Sequence, residues 1–150
     1  MLSNNNLPSE IDILLIEDDL ADANLLRFAF KQNQLSHKLH HVLDGIEGLD
    51  LLKQYLHFTL PLPNLILLDI NMPRMNGREF LAVLKADEHL RQIPVIMLTT
   101  SSFDADIQSA YHLGAAGYIT KPADLDQFIQ AIHIFNQYWF CLVQLPKRML

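Results

Sequence analysis

The chain has 150 residues, half of them hydrophobic, which is enough for one domain with a core of its own and leaves little room for a second. Eleven Lys and Arg against seventeen Asp and Glu give a net charge of −6, which argues against sequence-blind nucleic-acid binding because that mode needs a cationic face. The single cysteine, Cys141, excludes an internal disulfide or a cysteine-based zinc site and fits a reducing compartment.

Apolar strands and amphipathic helices alternate along the chain. The opening MLSNNNLPSE has neither the basic nor the apolar region of a secretory signal. No apolar run approaches the roughly 20 residues of a membrane span, so a cytoplasmic protein with no membrane partner is expected. IDILLIEDD predicts a short strand from Ile11 to about Ile16 that ends in three acids. LADANLLRFAFKQN then sets Leu25, Leu26, Phe28, Ala29 and Phe30 at helical spacing. HKLHHVLD reads as a strand whose alternation puts His40 and His41 on opposite faces, a poor chelating geometry, so His37, His40 and His41 are read as solvated or edge residues. GIEGLDLLKQYLHF returns to helical period with Ile46, Leu49, Leu52 and Leu56.

After the break LPLPN comes NLILLDINMP, whose unbroken leucines and isoleucines read as a strand covered on both faces up to Asp69. GREFLAVLKADEHL predicts a helix, IPVIMLTTS a buried strand, DADIQSAYHLGA a helix stopping near Gly114, GYITKP a strand, and ADLDQFIQAIHIFNQYW a last helix. His112 and His133 lie on these helices and are read as surface residues. Five strands alternating with five helices predict an α/β fold, a doubly wound parallel sheet with helices on both faces and its site at the carboxyl ends of the strands.

That topology would bring together Glu17, Asp18 and Asp19 from the first strand, Asp69 from the third, Thr99 from the fourth and Lys121 from the fifth. Carboxylates crowded into one cleft resist ionisation unless a cation offsets them. Oxygen-only ligands with open positions suit Mg²⁺, which keeps several waters and often shares them with a phosphoryl group. Lys121 offers a compact charge and Thr99 a hydroxyl, both suited to phosphoryl oxygens. Asp69 is then a candidate nucleophile that would form an aspartyl phosphate. By itself it would read as a capping or solvated residue, and Asp19 reads as the cap of the first helix.

Here the sequence resembles the receiver domain of two-component response regulators. The resemblance rests on LLIEDD, LILLDINMP, NGREFL, IPVIMLTTS and GAAGYITKP and runs from about Ile11 to Gln137. It implies a five-stranded sheet of order 2-1-3-4-5, with a receiver domain over 10–137 and an apolar extension over 138–150. It also implies Asp69 as phosphoacceptor for a sensor histidine kinase, with Mg²⁺ held by Glu17 (through water), Asp18, Asp69 and the backbone carbonyl of Asn71. By the same carry-over Lys121 binds the phosphoryl group, Thr99 is the switch hydroxyl, and Tyr118 is the aromatic whose rotamer follows it. Asn71 and Ser101 stand at the positions that tune phosphoryl lifetime; neither is charged, and an intermediate lifetime is expected. Glu17 replaces the aspartate that often begins the family's acid pair. Pro122 would follow Lys121 through a cis peptide bond.

A finer resemblance is to the stand-alone response regulators of cyanobacterial phytochromes, carried by PNLILLDINMP, NGREFLAVLK, IPVIMLTTS and the tail YWFCLVQLP. It points to a phytochrome as kinase; a phosphorelay intermediate serving another sensor kinase is the alternative. Tyr138, Trp139, Phe140, Leu142, Val143 and Leu145 either fold back on their own domain or form a two-fold dimer contact. A homodimer through Tyr138, Trp139, Phe140 and Leu142 is expected. Two rivals recede. A phosphohydrolase with an aspartyl-phosphate intermediate needs an acid where Asn71 stands. A flavin or nucleotide binder needs a phosphate-cradling loop where the chain has the glycine-free EDDLADAN. With no helix-turn-helix or catalytic output segment in the sequence, the output is expected to be a protein partner rather than nucleic acid.

Overall fold

The computed structural model describes residues 10–146, so the last four positions of the apolar extension lie outside the described residues. Strands β1 (Asp12–Ile16), β2 (Lys38–Val42), β3 (Leu65–Leu68), β4 (Val95–Thr99) and β5 (Gly117–Thr120) alternate with helices α1 (Leu20–Gln32), α2 (Gly45–His57), α3 (Gly77–Ala86), α4 (Asp104–His112) and α5 (Leu125–Phe135). All neighbouring strands are parallel, in the order β2-β1-β3-β4-β5. The expected doubly wound sheet and its strand order are therefore both borne out. Every residue of β3 and β4 is buried, which explains why their sequences are continuous aliphatic runs rather than alternating ones.

Successive residues of the central strands feed two separate cores. Leu14, Ile16, Ile66, Leu68, Val95 and Met97 pack against α2, α3 and α4, around Leu49, Leu52, Phe80, Leu81 and Leu84. Ile13, Leu15, Leu65, Leu67, Ile96 and Leu98 face α1 and α5, around Leu26, Phe30, Phe128 and Ile132. Because β1 sits between β2 and β3, the chain leaves it toward opposite sides, and the crevice at the carboxyl ends of β1 and β3 is the topological switch point.

Three expectations are corrected in detail. In α1 the buried stripe is Ala23, Leu26, Ala29 and Phe30, while Phe28 stays 43% exposed, because a core-facing stripe spans little more than a quarter of the helix circumference. The last helix does not run regularly through Trp139: α5 ends at Phe135 and passes into a π-helical turn, Asn136–Phe140. The wider turn aims Phe140 at the core beside His37, whose ring lies 4.5 Å from it. Finally, no peptide bond among the described residues is cis, so the Lys121–Pro122 bond is trans, the isomer that X–Pro bonds favour in general. Lys121 leaves β5 with its N–H on the Thr99 carbonyl at 2.7 Å.

Candidate functional site

Each strand delivers its residue to the same edge because the pairing register aligns the strand ends: Ile16 opposes Leu68, Leu68 opposes Met97, and Thr99 opposes Thr120. Glu17 and Asp18 follow β1 directly, Asp69 follows β3, Thr99 closes β4 and Lys121 follows β5. Carboxylate oxygens of Glu17, Asp18 and Asp69 lie within 4.8 Å of one another, close to the span one ion bridges when bound to two oxygens. This all-oxygen set fits Mg²⁺. Asp18 is exposed and Asp69 half-buried, so the cluster opens to solvent on the side a ligand would approach.

Glu17 is the interior member, only 2% exposed. Burial pushes its pKa up to about 7; the hydrogen bond and charge of Lys121 pull it back, and the neighbouring Asp69 charge pushes it further up. Lys121 donates from Nζ to Glu17 Oε2 at 2.7 Å and to Asp22 Oδ2 at 3.1 Å. Burial by itself would lower the lysine pKa, but Glu17, Asp69 and Asp22 together reverse this and hold the ammonium above its ordinary range. Taken separately, the lysine's shift favours a charged pair and the glutamate's a neutral acid. Lys121 is charged, and Glu17, buried beside it and repelled by Asp69, gives up its proton only at a higher pH than an ordinary carboxylate.

Asp69 binds its own loop: Oδ1 accepts from the Ile70 N–H at 2.8 Å, while the Asp69 N–H donates to the Ile16 carbonyl. Thr99 is fully buried, its Oγ1 accepting a long 3.4 Å bond from the Ser101 N–H. Tyr118 lies half-buried in β5 and donates from its hydroxyl to the Ser101 carbonyl at 2.8 Å. Burial raises its pKa, so it remains a neutral donor. Asn71 is exposed in the β3–α3 loop.

The structure adds partners that the sequence reading missed. Asp22, in the first turn of α1, is a third acid on Lys121; its signal was an acid one helical turn past Asp18. His41 places Nε2 2.6 Å from the Glu17 carbonyl, a role no strand alternation announces. Ser101 Oγ donates to Asp106 Oδ2 at 2.5 Å, and Arg78 from α3 donates to the other oxygen of Asp106 at 2.6 Å. The tail divides: Phe140 is buried and Trp139 half-buried against the core, whereas Tyr138 and Leu142 are exposed.

Residues 13–133 match the response regulator receiver domain family. The chain is 36% identical over 146 residues to the response regulator Rcp1 of Synechocystis sp. (strain ATCC 27184 / PCC 6803 / Kazusa), covering 97% of this chain and 99% of that one. It resembles the crystal structure of the phosphorylated cyanobacterial phytochrome response regulator RcpA, with a TM-score of 0.83 and 37% identity, over 93% of this chain and all of that one. It resembles the Mn²⁺-bound form of Rcp1 with a TM-score of 0.81 and 36% identity, over 91% of this chain and 99% of that one. Among the described residues no helix is long and apolar enough to cross a membrane.

Proposed function

The chain belongs to the response regulator receiver domain family, and on that premise we propose that Asp69 accepts a phosphoryl group from the phosphohistidine of a sensor kinase in the presence of Mg²⁺. One observation carries the proposal: three carboxylates and a largely buried lysine from the exits of three separate strands, β1, β3 and β5, converge in one cluster. Oδ1 of Asp69 is engaged by the Ile70 N–H, which leaves Oδ2 as the attacking atom. Its bond to phosphorus forms as the donor's phosphorus–nitrogen bond breaks, and the imidazole leaves with the electron pair.

Glu17, Asp18, Asp69 and the Asn71 carbonyl would hold the Mg²⁺, whose chemistry is to neutralise phosphoryl oxygens as charge shifts. Lys121 is already charged and needs only to turn from Asp22 toward the incoming phosphoryl. Thr99 supplies a hydroxyl to the same group, and since Tyr118 bonds the loop that carries Thr99's neighbour Ser101, movement of that loop reaches β5. With uncharged Asn71 and Ser101 beside it, the phosphoryl has an intermediate lifetime and is removed by the domain's own hydrolysis. The likeness to the cyanobacterial phytochrome response regulator RcpA supports a phytochrome as the kinase, and the signal leaves through protein contacts of a cytoplasmic homodimer.

Mass spectrometry after treatment with acetyl phosphate and Mg²⁺ tests this. Wild type gains one phosphoryl group and Asp69→Asn gains none. A phosphoryl retained by Asp69→Asn moves the acceptor elsewhere; its absence from both, together with no transfer from a phosphorylated histidine kinase, overturns the proposal.

A further inference from the structure

The loop between β3 and α3 begins with the phosphoacceptor and carries Asn71. At its centre the Met75 N–H bonds the Pro73 carbonyl at 2.7 Å, closing a three-residue turn around Arg74. Arg74 has a φ of +62°, a conformation that a long side chain adopts only when its surroundings impose it. Those surroundings are the N-terminus of α2. Arg74 donates from Nε to Asp44 Oδ2 at 2.7 Å. The Gly45 N–H donates to the Met75 carbonyl at 3.3 Å, and Met75 lies so close over Gly45 that an added Cβ would meet its Cγ at 2.8 Å.

Asp44 is a buried carboxylate, its side chain 5% exposed, with its two oxygens divided between two tasks. Oδ1 caps α2 by accepting from the Glu47 N–H at 3.0 Å, and Oδ2 takes Arg74. The cap needs an oxygen but no charge. Burial works against a charge at this position, yet the arginine and the backbone donors hold Asp44 below its ordinary carboxylate range. The charge is thus retained for Arg74.

We infer that Arg74 and Asp44 are positioning residues, an ionic clamp between α2 and the phosphoacceptor loop that fixes the Asn71 carbonyl where a cation needs it. The inference rests on the proposed function and deepens it: the coordination shell is completed by a contact to a helix outside the acidic cluster. Partners that orient a ligand typically change metal affinity by about 10-fold or more when removed.

The test is Mg²⁺ binding by calorimetry on the full chain for wild type, Arg74→Ala, Arg74→Lys, Asp44→Asn and the double variant Arg74→Ala, Asp44→Asn, each with a melting curve in EDTA. Asparagine is as good an N-cap as aspartate, so Asp44→Asn keeps α2 capped while removing the charge. Arg74→Ala and Asp44→Asn are each expected to weaken Mg²⁺ binding by about 10-fold, with Arg74→Lys in between and the double variant no worse than either single one. Charge acting through space would move the two in opposite directions, since one variant removes a cation and the other an anion. Opposite shifts, or unchanged affinity in either variant that melts cooperatively, overturn the clamp. If Arg74→Ala does not fold, Asp44→Asn decides. A wild type that binds Mg²⁺ but never takes a phosphoryl group defeats the proposed function and leaves the clamp standing; one that binds no Mg²⁺ defeats the clamp.

Discussion

Glu17 is held in a place that suits a neutral acid, beside the two other carboxylates of the cluster. Its pKa of about 7 follows from burial first and from the Asp69 charge, only partly offset by Lys121. A folded-state pKa raised above the ordinary carboxylate value means that the fold favours the protonated form. The contribution to stability is therefore present below the ordinary value and lost as pH rises through about 7. In EDTA, Glu17→Gln should gain melting temperature over wild type by a few degrees as pH goes from about 5 to about 8, and Mg²⁺ should narrow that gap by stabilising wild type more than the variant. A difference that stays flat with pH would place the titration elsewhere. Glu17, Asp18, Asp69, Thr99 and Lys121 were legible in the sequence because each closes or directly follows an aliphatic strand, and strand ends are where a doubly wound sheet gathers its site. Asp22 and His41 were not, because their roles depend on which neighbour the fold brings within about 3 Å.

Among the elements, α3 shows how closely a helix can be seated under the end of a strand. The Gly77 N–H donates to the Ile70 carbonyl at 2.8 Å, and a Cβ on Gly77 would stand 2.2 Å from the Asp69 carbonyl oxygen. That obstacle is backbone and cannot swing aside. Gly77→Ala should therefore cost about 2 kcal/mol in denaturant unfolding. It should also slow phosphoryl uptake from acetyl phosphate by one to two orders of magnitude, since it shifts Asp69, the proposed acceptor. A variant with wild-type uptake would show that the loop relaxes independently of α3. The sequence announced this helix through NGREFL and its apolar spacing, and the structure caps it with Asn76 and Glu79 in a reciprocal box. Its far end was misjudged: the helix stops at Ala86, with Asp87 as the C-cap in extended backbone, where apolar spacing suggested continuation toward Leu90. Leu90 is buried all the same, so its hydrophobicity signalled core membership rather than helix.

For the whole molecule, the tail sets the boundary between the domain and its surroundings. Phe140 stacks edge-on against Phe135 and is 6% exposed, so it completes the domain's own core and is withdrawn from the expected dimer contact. Leu142 is 72% exposed, and Tyr138 borders an apolar groove of about 330 Å³ lined by Ile119, Ala131, Ile134, Phe135 and Trp139. Phe140→Ala should destabilise the chain by about 3 kcal/mol at any protein concentration. The double variant Tyr138→Asp, Leu142→Asp should leave the fold intact and abolish a dimer that light scattering detects in wild type. A wild type that stays monomeric across concentrations, with and without acetyl phosphate, removes the homodimer from the proposal.

Sequence by itself determined the order of elements, the doubly wound sheet and the acids at the strand ends, because hydrophobic periodicity and strand-end placement are properties of the chain read locally. Only the tertiary structure decided that Lys121 sits between Glu17 and Asp22, that Arg74 reaches Asp44, that Ser101 is tied to Arg78 through Asp106, and which tail side chains turn inward. Those pairings join segments far apart in the chain. Their partners are set by the packing of helices on the sheet, and no local pattern encodes a distance between residues that meet only after the core has closed.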